Sequence, residues 1–82
     1  MYALDFTPMA RKQFAKLPKE LQQRITAALD RVLIRPHAFV EHLVNSPYYK
    51  LRVGKYRVIL DVRGTELLIL VIEPGPRESI YK

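Results

Sequence analysis

The chain has no cysteine, which excludes a disulfide framework, a thiolate nucleophile and the usual structural zinc sites. No stretch approaches the apolar length that spans a membrane, and the opening segment MYALDFTPMARKQF lacks the apolar run of a secretion signal. A cytoplasmic protein is therefore the expectation. Histidine is confined to His37 and His42, five residues apart, a separation that puts them on no common helical face. No third ligand of matching character lies nearby, so neither a metal site nor another cofactor is expected. There is also no histidine–carboxylate pair to carry conventional acid–base work. Acidic residues are outnumbered, eight against 14 Lys and Arg, for a net charge of +6. On so small a chain that excess points to a polyanionic partner: RNA, DNA, a ribosome surface or an acidic protein. Eighty-two residues make one domain, 1–82, and 49% apolar residues are normal for a globular fold and too many for a disordered tail.

Glycine is scarce, three residues in all, and two of them punctuate the stretch around which the chain is organised. From Tyr48 to Glu73 the sequence reads YYKLRV, GK, YRVILDVR, GT, ELLILVIE: two β-hairpins in tandem, joined by Gly54-Lys55 and Gly64-Thr65. A glycine-first two-residue turn is the chemistry of a type II′ hairpin, since glycine takes the positive φ without steric cost. The turns fix the expected pairing: Val53 with Tyr56, Arg52 with Arg57, Leu51 with Val58, and Lys50 with Ile59. In the second hairpin Val62 faces Leu67, Leu60 faces Ile69, Val58 faces Val71, and Tyr56 faces Glu73.

Side chains alternate across a strand, so this register sorts residues into two faces. Tyr49, Leu51, Val53, Tyr56, Val58, Leu60, Val62, Leu67, Ile69 and Val71 form an apolar face that belongs to the core. Tyr48, Lys50, Arg52, Arg57, Asp61, Arg63 and Glu66 lie on the other, among Ile59, Leu68, Leu70 and Ile72, with the basic residues gathered near the first turn. Two opposed arginines repel by about 1 kcal/mol at contact in water, whereas each buried aliphatic contributes roughly 1.5–3 kcal/mol. The core therefore dictates register, and Arg52 and Arg57 are held side by side. Such a cluster is either a preformed anion site or a pair of solvated arginines on a sheet surface; spacing alone does not choose.

Ahead of the hairpins, Tyr2 to Phe6 alternates as a short strand. Thr7-Pro8 has the form of an N-cap with proline at the first helical position, opening a helix to about Lys16. Leu17-Pro18 breaks it. From Lys19 to Leu33 the apolar residues Leu21, Ile25, Ala28, Leu29, Val32 and Leu33 follow helical spacing, a stripe suited to covering the sheet. The two helices form a hairpin on one side of the sheet, giving an α+β fold: strand, helical hairpin, three-stranded antiparallel meander. Arg35-Pro36 ends the second helix, and 37–47 reads as a connection with Val40, Leu43 and Val44 able to tuck under the domain. After Glu73, Pro74-Gly75-Pro76 ends the last strand. Arg77 follows, with Tyr81 four residues on, placed to fold back towards Arg52 and Arg57.

The run LRVGKYRVIL (Leu51–Leu60), a hydrophobic strand and then PGPRESIY (Pro74–Tyr81) resemble the RelE/ParE toxin superfamily, and the late R-E-S-I-Y looks more like the RelE branch. The resemblance implies the toxin of a type II toxin–antitoxin pair, a metal-independent endoribonuclease that enters the ribosomal A site and cuts messenger RNA, silenced by a RelB-like antitoxin. The alternative it carries is a ParE-like toxin that blocks DNA gyrase by binding. In the RelE version the 2′-hydroxyl attacks its neighbouring phosphate. Arg57 would hold that phosphate, and Arg77 would stabilise charge or protonate the leaving oxygen. Tyr81 would orient the substrate or stack on a base, Lys50 falls where the family often has a basic residue that could accept the 2′-hydroxyl proton, and Arg52, Lys55 and Tyr48 would contact the RNA. Two positions depart from the pattern: the family often has lysine near Tyr48, and tyrosine where this chain has Leu60.

Overall fold

Thr7 ends the first strand and begins the first helix with one side chain. Its hydroxyl accepts from the Ala10 amide at 3.1 Å, as an N-cap does, and donates to the Leu70 carbonyl at 2.8 Å. In the computed structural model, which describes residues 2–75, this junction separates β1 (Ala3–Phe6) from α1 (Pro8–Ala15). Then follow α2 (Lys19–Ile34), a short helix α3 (Pro36–Phe39), β2 (Glu41–His42), β3 (Tyr49–Val53), β4 (Tyr56–Arg63) and β5 (Glu66–Pro74). The five strands form one sheet in the order β1-β5-β4-β3-β2, with β1 parallel to β5 and the other pairs antiparallel.

The α+β architecture, both hairpins and both long helices are as the sequence implies. Gly54 and Gly64 have φ of 59° and 57°, and neither Lys55 nor Thr65 is among the positive-φ residues, the pattern of a type II′ turn. The first-hairpin register holds throughout, including Arg52 opposite Arg57. Ile25, Ala28, Leu29 and Val32 of α2, with Ala10 of α1, pack on Leu51, Val53, Val58, Leu60, Leu67, Ile69 and Ile72 of the sheet. Gln22 ties the helices together by donating to the Phe14 carbonyl at 2.8 Å.

Two expectations fail. The segment 37–47 is not only a connection: Pro36–Phe39 makes a turn of helix and Glu41–His42 pairs with Lys50 and Tyr49 as an edge strand. Val44 does not tuck under; it is 86% exposed in the tight loop closed by the Leu43 amide on the Tyr48 carbonyl, where Asn45 takes a φ of 57°. The second correction concerns β5. Leu60 faces Ile69 as expected, but Ile59 faces Val71, Val58 faces Ile72, Arg57 faces Glu73 and Tyr56 faces Pro74. Leu70 is the extra residue of a β-bulge, and beyond it every side chain is turned over.

The bulge has a cause in the neighbouring elements. β1 stops pairing with β5 at Phe6–Ile69, and the chain leaves into α1. The backbone groups that lose a strand partner there are taken over by side chains. Leu70 C=O accepts from the Thr7 hydroxyl, and Ile72 N–H donates to Gln13 Oε1 of α1 at 2.8 Å. Ile72 thereby enters the core in place of Val71, which is left half-buried on the open face.

Candidate phosphate-binding site on the first hairpin

The open face of the sheet around the Gly54-Lys55 turn carries most of the residues that the resemblance singles out. Arg52 on β3 and Arg57 on β4 are cross-strand partners, Lys55 sits in the turn, and Lys50 lies further along β3 opposite Ile59. Arg52 and Lys55 are exposed, and Arg57, Lys50 and Tyr48 are half-buried. Tyr48 immediately precedes β3, with its backbone amide donating to Ser46 Oγ at 3.1 Å.

The shifted register of β5 adds a residue that the sequence reading did not include. Glu73 stands beside Arg57 and accepts from its Nε at 2.6 Å, with the two side chains 31% and 35% exposed. The cationic cluster thus contains a carboxylate, and Arg52 and Arg57 are not left to repel each other uncompensated. Lys50 also has an acidic neighbour: Glu41 of β2 lies 3.5 Å from its Nζ. Beside this pair an open groove of about 710 Å³ is lined by Glu41, His42, Leu43, Val44, Ser46 and Lys50. At the other end of the face Arg63 is engaged by Asp61 at 2.6 Å, a bond that raises the guanidinium pKa above its ordinary value.

Arg24 was also missed. It belongs to the helical layer, yet its Nη1 lies 3.2 Å from where a Cβ on Gly54 would be, so its guanidinium packs against the first turn. No sequence spacing connects positions 24 and 54; only the packing of α2 does. Glu73 had a faint signal, an acidic residue closing an otherwise apolar strand, but its face depended on the unseen bulge. His37 and His42, which share no helical face, are brought together by the fold around Tyr49, at ring-centroid distances of 5.3 and 4.9 Å. Among the described residues no group of three His, Cys, Asp or Glu side chains is arranged to hold a metal ion.

The exit of β5 is fixed to the same turn, because the Gly75 amide donates to the Lys55 carbonyl at 2.8 Å. Arg77 and Tyr81, and the expected return of Arg77 towards Arg52 and Arg57, lie outside the described residues. What the described part supplies is a hairpin presenting guanidinium groups on one side. Arginine forks match phosphate oxygens in plane and spacing, and that makes this surface suited to a phosphodiester.

Comparison with known proteins gives the arrangement a lineage. Residues 4–81 match the family model of the ParE toxin of type II toxin–antitoxin systems, parDE. The chain is 31% identical over 80 residues to the mRNA interferase toxin RelE of Escherichia coli K12, an alignment covering 94% of this chain and 84% of that protein. Its fold superposes with a TM-score of 0.83 on a chain of the intact E. coli RelBE toxin–antitoxin complex, at 25% identity over 94% of this chain and 100% of the other. The archaeal RelE–RelB complex from Pyrococcus horikoshii OT3 gives a TM-score of 0.79 at 27% identity, covering 93% and 97%. No helix among the described residues is long and apolar enough to cross a membrane. A basic hairpin of this design, on this sheet and helical layer, with matches running through nearly the whole chain, makes the protein a RelE-like member of the RelE/ParE superfamily of type II toxin–antitoxin toxins.

Proposed function

We propose that this chain is a ribosome-dependent endoribonuclease that cuts messenger RNA in the ribosomal A site and so halts translation. The observation that carries the reading is Arg57, fixed on the open face beside Arg52 and Lys55 in a chain that is 31% identical to a protein named an mRNA interferase. In the reaction the 2′-oxygen forms a bond to the adjacent phosphorus as the bond from phosphorus to the 5′-oxygen breaks, leaving a 2′,3′-cyclic phosphate and a 5′-hydroxyl. Arg57 binds the non-bridging oxygens and meets the charge that grows on them. Preorganised positive charge of this kind is the largest single contributor to many such rate enhancements. Lys50 accepts the 2′-hydroxyl proton as a neutral amine, after it has parted from Glu41 and given its own proton to water; Arg77 stabilises charge or delivers a proton to the departing 5′-oxygen, and Tyr81 orients or stacks on a base. Arg52, Lys55 and Tyr48 hold the flanking RNA. The scheme uses no metal. The ribosome supplies what the chain has little of, a substrate held in the reactive geometry.

The partner that silences the protein is a RelB-like antitoxin. RelE-type relatives are found in complexes with such proteins, and Ile59, Leu68, Leu70 and Val71 leave a half-buried apolar strip on the open face for a partner to cover. Ile72, which the sequence placed in this strip, belongs to the core instead. The cytoplasm, where ribosomes and messenger are, is the proposed site of action.

The test is to map the 5′ ends of messenger fragments after induction, with the Arg57→Ala/Arg77→Ala variant as control. Cuts that appear only with the intact chain and require ribosomes support the reading; arrested growth with uncut messenger overturns it. A second reading is favoured by the family model, whose description is of ParE toxins. On that reading the basic hairpin face binds DNA gyrase without cleaving anything, and a supercoiling assay separates the two, since the nuclease leaves gyrase untouched.

A further inference from the structure

A carboxylate is the wrong sign for a phosphate site, yet the fold brings one to the centre of this one. The insertion of Leu70 turns Glu73 from the core side of β5 to the side of Arg57, and Thr7 and Gln13 stabilise that insertion by bonding the backbone at Leu70 and Ile72. The contact is also one-sided. Glu73 takes Nε of Arg57 at 2.6 Å, and among the described residues no other hydrogen bond or ion pair engages that guanidinium. The N–H groups of a guanidinium lie in one plane, so holding Nε from one side sets the orientation of the terminal nitrogens. Arg52, directly opposite, has no such partner among the described residues and is exposed. Of the two arginines facing each other, Arg57 is the one that a described residue orients before any substrate arrives.

We propose that Glu73 is a positioning residue: by holding Nε of Arg57 it fixes the plane of the guanidinium and leaves the Nη1–Nη2 edge to fork onto a phosphate. The proposal rests on the functional reading above and deepens it. An arginine free to sample its rotamers must be ordered when the substrate binds, and that cost is subtracted from binding and from stabilisation of the transition state. Clamped in advance, Arg57 meets the phosphate in place. The clamp also explains why a negative charge is tolerated here, since its repulsion of the substrate is offset by a guanidinium that needs no reordering.

The experiment uses the refolded full-length chain with Glu73→Ala and Glu73→Gln variants, in cleavage of messenger on programmed ribosomes. With Glu73→Ala, kcat falls about tenfold or more, as displacement of a catalytic group by an ångström does. KM stays level or drops, because a repelling charge has gone. Glu73→Gln keeps an oxygen that accepts from Nε and recovers most of kcat. The Arg57 Nε–H resonance in ¹H–¹⁵N spectra reports the clamp independently of activity: slow to exchange in the wild type and in Glu73→Gln, fast in Glu73→Ala. An unchanged or raised kcat in Glu73→Ala overturns the proposal, whatever the resonance does. If the wild-type chain cuts no messenger, the functional reading has failed, and titration with inorganic phosphate then decides the clamp separately. Perturbed Nη resonances with Nε–H still protected support it; silent Nη resonances overturn it.

Discussion

Arg57 is where charge, geometry and family resemblance meet, and its chemistry makes a sharp prediction. On the proposed function, Arg57→Ala removes the fork that meets the developing charge and is expected to lower cleavage by roughly 100- to 1,000-fold. The fold barely notices: the Arg57–Glu73 pair is about a third exposed, and such pairs are worth under about 1 kcal/mol. Urea denaturation of the variant should therefore superpose closely on that of the wild type while ribosome-dependent cleavage is lost. Arg57→Lys keeps the charge and loses both the planar fork and the Nε donor, so it should recover only a small part of the activity. A lysine variant with full activity would mean that a point charge suffices and that the plane of the guanidinium is irrelevant. The face of Arg57 was legible in the sequence because both neighbours that set it, Val58 and Tyr56, belong to the core side. Its partner Glu73 was not. In LLILVI every residue is apolar, so either register buries an aliphatic side chain and alternation carries no information about which.

At the scale of the element, the bulge in β5 depends on α1. Gln13 Oε1 receives the Ile72 amide, and without it that N–H is left part-buried and unpaired. Gln13→Ala is expected to destabilise the chain by about 1–3 kcal/mol, read from the urea midpoint, and to loosen Glu73 along with it. The two hairpin turns offer a matched pair. Gly54 and Gly64 have nearly the same φ, and alanine at either is strained by about 1–3 kcal/mol. Among the described residues nothing lies within 4 Å of a Cβ at Gly64, whereas at Gly54 the Arg24 guanidinium is 3.2 Å away. Gly64→Ala thus measures backbone strain alone, and any additional loss in Gly54→Ala should vanish when Arg24→Ala is combined with it. Helices and hairpins were readable because each has a local signal: a cap, a period, a glycine-first turn. The bulge and β2 were not, since one is decided by Thr7 and Gln13 some sixty residues away in sequence, and the other is two residues long, too short for any period to show.

For the whole molecule the question is whether the net charge of +6 acts as a diffuse field or through a built surface. A diffuse charge attracts RNA equally through any exposed cation. A built surface draws on those around the first turn and ignores those on the helical side. The two separate in the salt dependence of binding to an unstructured RNA oligonucleotide, where each phosphate neutralised contributes about −0.7 to the slope of log K against log salt. Arg52→Ala and Lys55→Ala should each flatten the slope by roughly that amount. Lys19→Ala, at the exposed start of α2, removes the same charge from the helical layer and should leave the slope unchanged. Equal flattening by all three variants would mean that the excess charge is spread over the molecule, and the hairpin face would then be no more than one part of a uniformly basic surface.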